Sequence, residues 1–244
     1  MSGPRLRVTS AQSQPFNCLI SLKVGSTFLR NLVWVLDHGS PYSADSRAIP
    51  EPIPSKDMTR EELAQEISFF VLRDPIDRFF SLYFDKVLGS EATRFNWIAE
   101  TLTANRVFHD GPALSIQQHR ENCASLAKFI KSRLRGHAKG PINPHWNTQF
   151  KRMEAAVKFG LQPLMLDRLE PQLLQIANGR IPGLKAAMAQ VKSRNQAPRV
   201  VASDAILTPD LYQDIAALYP EDIQLYDLVK TGWDLLGQPP EINF

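Results

Sequence analysis

Apolar and polar positions alternate along the chain in two blocks that each switch from strand to helix. Ile67 to Leu72 reads ISFFVL, an uncharged run rich in aromatic and β-branched residues; it breaks at Arg73-Asp74-Pro75, and a pattern of helical period begins at once. Ile76, Phe79, Phe80, Tyr83, Phe84 and Val87 recur at three- and four-residue intervals, while Asp77, Arg78, Ser81 and Asp85 line the opposite side. Asp74 suits the N-cap and Pro75 the first helical position, where an N–H has no intrahelical partner. The second block starts with FNCLIS from Phe16, a short buried strand. It is followed by Leu22-Lys23-Val24-Gly25-Ser26-Thr27 and a helix through Phe28, Leu29, Leu32, Val33 and Leu36 that stops near Asp37-His38-Gly39. Ser26 and Thr27 are both able to cap that helix.

Two strand-helix units with a crossover between them predict a parallel sheet with right-handed connections, whose ligands gather at the carboxyl ends of the strands. Lys23 and Arg73 both fall at that edge. Residues 1–15 read as a loose arm, and residues 40–57, with Pro41, Pro50, Pro52 and Pro54, as a long irregular connection. TREELAQE, Thr59 to Glu66, reads as a short capped helix. A third strand is expected to end near Asp167, with a helix after it that stops at Gly179. Thr208 and Pro209 open a C-terminal helix pair.

Composition narrows the function. At 244 residues, 43% hydrophobic and 22% charged, the chain fits a soluble globular protein, with one large α/β domain favoured over two small ones. A net charge of only +3 suits an anionic ligand in one pocket better than a nucleic-acid track. Cys18 and Cys123 form neither a metal spacing nor a disulfide framework. No apolar run approaches the roughly 18–20 residues that span a bilayer, and the polar N-terminus lacks a secretory core, so a cytoplasmic location without a transmembrane segment is expected.

The chemistry concentrates in three places. Lys23, Val24, Gly25, Ser26 and Thr27 precede a helix N-terminus, where backbone N–H groups and the dipole favour an anion, Gly25 allows close approach and Lys23 adds a mobile charge. A capped surface helix with a nearby lysine explains the same residues. Arg73, leaving a buried strand beside a helix N-terminus, and Ser81, two turns along that helix, can hold a second anion; an ordinary strand-turn-helix remains open as well. The loop Gly140 to Phe150, GPINPHWNTQF, gathers His145, Trp146, Asn147 and Gln149, and a packed His-Trp pair is its alternative. The basic run Lys128 to Lys139 reads as a solvated helix face.

KVGST before a helix, followed by RDPIDRFFSLY after a strand, resembles the sulfotransferase family, in particular the family 2 branch that includes the carbohydrate O-sulfotransferases and soluble bacterial proteins. The R-D-P-x-x-R-x-x-S-x-Y element matches at Arg73, Asp74, Pro75, Arg78, Ser81 and Tyr83. PHWNTQ is similar to an H-W-x-x-Q element, and LYPEDIQLYDLV to the branch's C-terminal ending. Leu22 stands where the family usually has proline, and the region between the two motifs is short.

The resemblance implies a P-loop-like single domain over residues 16–244, with a central parallel sheet flanked by helices and a helix-rich C-terminal half. It also implies 3′-phosphoadenosine 5′-phosphosulfate (PAPS) as donor. Lys23 to Thr27 would then hold the 5′-phosphosulfate, Arg73 and Ser81 the 3′-phosphate, and Lys23 would act in catalysis. The partners expected are this nucleotide and a hydroxyl acceptor, with a carbohydrate favoured, and neither nucleic acid nor metal. His145 is the choice for general base, with His38 and carboxylates of the connecting region as competitors. Arg194 and Arg199 are further donor-binding candidates by loop position. The rivals are a sulfotransferase scaffold without activity and a P-loop kinase, although here the lysine precedes the glycine, against the order G-x-x-x-x-G-K-[ST].

Overall fold

The computed structural model describes residues 3–45, 48–89, 94–104, 108–111, 113–136, 143–191 and 201–242. In chain order the elements are β1 (Leu6–Ser10), β2 (Phe16–Leu19), α1 (Ser26–His38), β3 (Ser55–Met58), α2 (Arg60–Gln65), β4 (Ile67–Leu72) and α3 (Pro75–Leu82). A π-helical turn, Tyr83–Val87, continues α3, and α4 (Asn96–Ala104), α5 (Ile116–Leu134), α6 (Phe150–Lys158) and β5 (Gln162–Met165) follow. The chain closes with α7 (Leu169–Ala177), α8 (Leu184–Val191), α9 (Ser203–Ile206), α10 (Pro209–Ala216) and α11 (Pro220–Leu236). These elements fold as two compact units. One takes residues 1–73, 149–196 and 225–244, the other residues 74–148 and 197–224.

The first unit holds a five-stranded sheet in the order β3-β1-β2-β4-β5. β2, β4 and β5 run parallel, with Leu19 opposite Phe70 and Leu72 opposite Met165. Every residue of β4 is buried, as expected of a central parallel strand covered on both faces. Its Phe69 meets the Phe16 ring edge-on at 5.1 Å. The expected parallel sheet is present in β2, β4 and β5, and β1 and β3 extend it antiparallel, β1 with β2 and β3 with β1. Both were hidden in segments read as an arm and an irregular connection.

The reason is physical. β1 carries alternating polar residues whose partners lie elsewhere in the chain. Ser10 donates to Asn17 Oδ1 at 2.5 Å, and Asn17 donates to Glu66 Oε2 at 2.7 Å, so buried polar groups are satisfied across strands. β3 is an edge strand with exposed Lys56 and Asp57, the charged composition that discourages further pairing.

Local signals account for the helix ends. Thr59 and Glu62 form a capping box on α2, and Asn178 in the left-handed region ends α7 just before Gly179. Trp233 of α11 donates to Pro163 O at 3.0 Å, tying the C-terminal helix to β5.

The second unit is helical and has its own core of Phe79, Phe80, Tyr83, Leu126, Ile130, Trp146 and Ile215, among others. Asp74 Oδ1 accepts from the N–H groups of Ile76 and Asp77, and Pro75 opens α3. The helical period does not run unchanged to Val87. Leu88 N–H bonds Tyr83 C=O at 2.9 Å, a five-residue step, and Tyr83 is fully buried there. Its hydroxyl lies 2.8 Å from His119 Nδ1.

Candidate functional site

Within the first unit the loop after β2 is shaped by two left-handed residues. Lys23 has φ 65° and Gly25 φ 79°. A side chain at Gly25 would be strained by that φ, and its Cβ would lie 2.8 Å from Leu166 Cδ1. Gly25 is the N-cap of α1 and no side chain caps that end, so Ser26 and Thr27 occupy the first turn instead of capping it. The first intrahelical bond joins Leu29 N–H to Gly25 C=O at 2.9 Å. The N–H groups of Ser26, Thr27 and Phe28 therefore precede the helical ladder, at the positive end of the dipole. Val24 is fully buried, so it contributes main chain to the loop and its side chain to the core. Lys23 and Ser26 are half-buried.

Arg73 follows β4 in the same unit, and its Nη1 donates to Lys23 C=O at 3.3 Å. Two sequence elements fifty residues apart thus meet at the carboxyl ends of adjacent parallel strands. The backbone of Arg73 is gripped by a residue that sequence reasoning placed in the loop but gave no task. Arg73 N–H donates to Gln149 Oε1 at 3.1 Å, and Gln149 Nε2 donates to Arg73 C=O at 2.9 Å. Gln149 is completely buried, and its amide supplies the two bonds that a neighbouring strand would give. A guanidinium carries five N–H donors in a planar fork, the geometry that suits an anion with two oxygens to offer.

The rest of that motif belongs to the second unit. Ser81 is half-buried on α3. Arg78 is not on a solvated stripe as its helical position predicts: it is only 3% exposed. Its Nη2 donates to the carbonyls of Pro144 at 3.5 Å and His145 at 3.3 Å, and the guanidinium lies 5.9 Å from the centre of the Tyr219 ring. Burial lowers its pKa, opposed by Tyr219 and then by the buried carboxylate of Asp222. Tyr219 OH in turn donates to Trp146 C=O at 3.2 Å. The loop carrying His145 is therefore held at three successive carbonyls from beneath.

His145 itself is half-buried. Both its backbone N–H, at 3.0 Å, and its Nδ1, at 2.8 Å, lie against Asn143 Oδ1, and its ring meets Phe95 edge-on at 5.0 Å. Trp146 is buried against Trp97 and Phe129. The packed pair and the loop histidine are thus two neighbouring roles, with tryptophan the anchor.

His38 fares worse as a base. Its ring stacks on Trp34 at 3.6 Å, and it ends α1, about 18 Å along the helix from Ser26 at 1.5 Å per residue. Arg194 and Arg199 lie outside the described residues. Among the described residues there is no cluster of ligands for a metal and no helix long and apolar enough to cross a membrane. Both cysteines are free and buried.

Compared with known proteins, residues 16–228 match a family model described as the sulfotransferase family. No curated protein and no solved structure matches the chain.

Proposed function

The chain belongs to the sulfotransferase family, and we propose that it transfers a sulfuryl group from PAPS to a hydroxyl acceptor, with a carbohydrate as the acceptor class. The observation that carries this reading is the bond from Arg73 to Lys23 C=O, which brings one residue of each proposed anion-binding element together within one unit. The residues present fit a donor with two phosphate groups. Gly25 turns the loop through a left-handed φ that a side chain would strain, the α1 N-terminus has no side-chain cap, and Arg73 is fixed by its backbone.

Bound there, PAPS would supply an activated sulfuryl group whose departure builds negative charge on the oxygen between sulfur and phosphorus. Lys23 holds a cation for that oxygen, and the main-chain N–H groups of Gly25, Ser26 and Thr27 grip the 5′-phosphate. Arg73 offers its fork to the 3′-phosphate, remote from the reacting atoms, so it governs binding more than rate. Ser81 joins the 3′-phosphate set and His145 takes the acceptor's proton, both on the strength of the motifs that carry them.

Calorimetric titration with adenosine 3′,5′-bisphosphate tests the donor site. Micromolar binding by the native chain, lost in Arg73→Ala and merely weakened in Lys23→Ala, is the expected result. A folded native protein that does not bind the nucleotide overturns the reading.

A further inference from the structure

The geometry around His145 points to Asn143 as a positioning residue that sets which ring nitrogen of His145 carries the proton. Asn143 Oδ1 faces two groups of the same histidine, the backbone N–H at 3.0 Å and Nδ1 at 2.8 Å. A backbone N–H can only donate. The Asn143 atom facing it is therefore the carbonyl oxygen and not the amide nitrogen, which removes the usual ambiguity of an asparagine side chain. An oxygen with no proton of its own can only accept from Nδ1 as well. Nδ1 is then the N–H of the neutral imidazole, and the lone pair resides on Nε2.

Two further contacts keep the ring in this arrangement. Arg78 donates to the His145 carbonyl at 3.3 Å, which steadies the backbone, and the Phe95 ring stands at 82° to the imidazole, which steadies the ring plane. The arrangement matters for the function only if His145 is the base, and that part rests on the reading given above. A base must present a lone pair to the acceptor hydroxyl, and Asn143 assigns that task to Nε2. The proton taken from the hydroxyl would reside on Nε2, giving an imidazolium with Nδ1–H still donated to Asn143. The same oxygen then accepts a charge-assisted bond, which is stronger than the neutral one. Sequence inspection picked out the histidine but not the asparagine two residues before it.

The test is a long-range proton–nitrogen NMR spectrum of protein labelled with ¹⁵N histidine, recorded at pH 8.5, with His145 assigned by its absence in His145→Gln. The expected spectrum gives Nδ1 the protonated shift and Nε2 the unprotonated one. Asn143→Ala should move His145 toward the opposite tautomer, and Asn143→Asp, whose carboxylate accepts the same two bonds, should restore it. A native spectrum with the proton on Nε2 overturns the assignment, as does an unchanged tautomer in folded Asn143→Ala.

Production of adenosine 3′,5′-bisphosphate from PAPS, with unsulfated hexose oligosaccharides as probe acceptor, separates the two ideas. Loss of at least tenfold in Asn143→Ala with recovery in Asn143→Asp and unchanged nucleotide binding supports both. The expected tautomer change with equal rates in native, Asn143→Ala and His145→Gln protein keeps Asn143 as the positioning residue and removes His145 as the base.

Discussion

The loop after β2 in the first unit and the histidine loop in the second are held by opposite means. The first is fixed by backbone: left-handed Lys23 and Gly25, an α1 end without a side-chain cap, and a buried amide that grips the Arg73 main chain. Its charged side chains stay half-buried. The second is fixed by buried side chains, with Arg78 and Tyr219 bonding the carbonyls of Pro144, His145 and Trp146. One motif supplies both kinds of arginine, Arg73 near the surface and Arg78 in the interior. A guanidinium meant for an anionic ligand has to remain reachable, whereas one that only holds carbonyls can be buried if its donors are used.

The sharpest way to break this contrast is Arg78→Ala. It removes a buried cation from beside Asp222 and leaves the carbonyls of Pro144 and His145 without their donor. Losing one member of a buried charged set costs about 3–5 kcal/mol. The loss should appear in the second unit. Cys123 lies there and Cys18 in the first, both fully buried, so pulsed thiol labelling reads the two units separately. Cys123 should react far faster in the variant, with Cys18 nearly unchanged. Equal acceleration of both would mean that Arg78 supports the whole chain.

Lys23→Gly probes the other loop in the opposite sense. Relief of left-handed strain returns about 1–2 kcal/mol, and the freer unfolded chain takes back about 0.4–1 kcal/mol. Stability to urea should therefore hold or rise. Turnover should fall at least a hundredfold, because an oriented donor at a developing oxyanion is worth about 2.7–4 kcal/mol. A variant that is both stable and active would reduce Lys23 to an ordinary loop residue.

These two loops also mark where the sequence was legible. β4, α1 and the capped start of α3 declare themselves locally, through an uncharged run, a helical period and the Asp74-Pro75 pair. The two stretches proposed to bind the donor stood out for the same reason, since each is contiguous in the sequence. Arg78 was misplaced because helical period assigns a face without saying whether that face meets solvent, and here it meets carbonyls from residues 144 and 145. β1 and β3 were missed because their short polar strands gain stability only from pairing with distant segments. Gln149 carries no local signal for its task, since its partners lie seventy-six residues away.

Gln149→Ala is the next smaller perturbation. It leaves the Arg73 N–H and C=O without their bonds at a buried position, a cost of about 1–3 kcal/mol. Part of that should appear as slack in the guanidinium, so nucleotide binding should weaken by about tenfold, or 1.4 kcal/mol, with kcat less affected than KM. Gln149→Glu, which keeps an acceptor but loses the amide donor, should fall between the two. Full binding in Gln149→Ala would show that the end of β4 is held without it.

The smallest effect expected is a pH dependence confined to the second unit. His119 is buried, its Nδ1 is 2.8 Å from the Tyr83 hydroxyl, and burial lowers its pKa below the usual imidazole value. Tyr83 and Cys123 beside it are pushed upward by burial, so both stay neutral near neutrality and His119 is the group that titrates. Because the folded pKa is the lower one, the unfolded chain binds the proton first. The contribution of neutral His119 is complete above a pH of about 6.5, the ordinary value, and is lost progressively as pH falls from there toward the lowered folded value. The ratio of Cys123 to Cys18 labelling cancels the shared dependence of thiol reactivity on pH. It should rise as pH drops below about 6.5, and His119→Gln should flatten it. A ratio that stays constant down to pH 5 would mean that the interior of the second unit accommodates an imidazolium, and the difference between the two units would then rest on Arg78 alone.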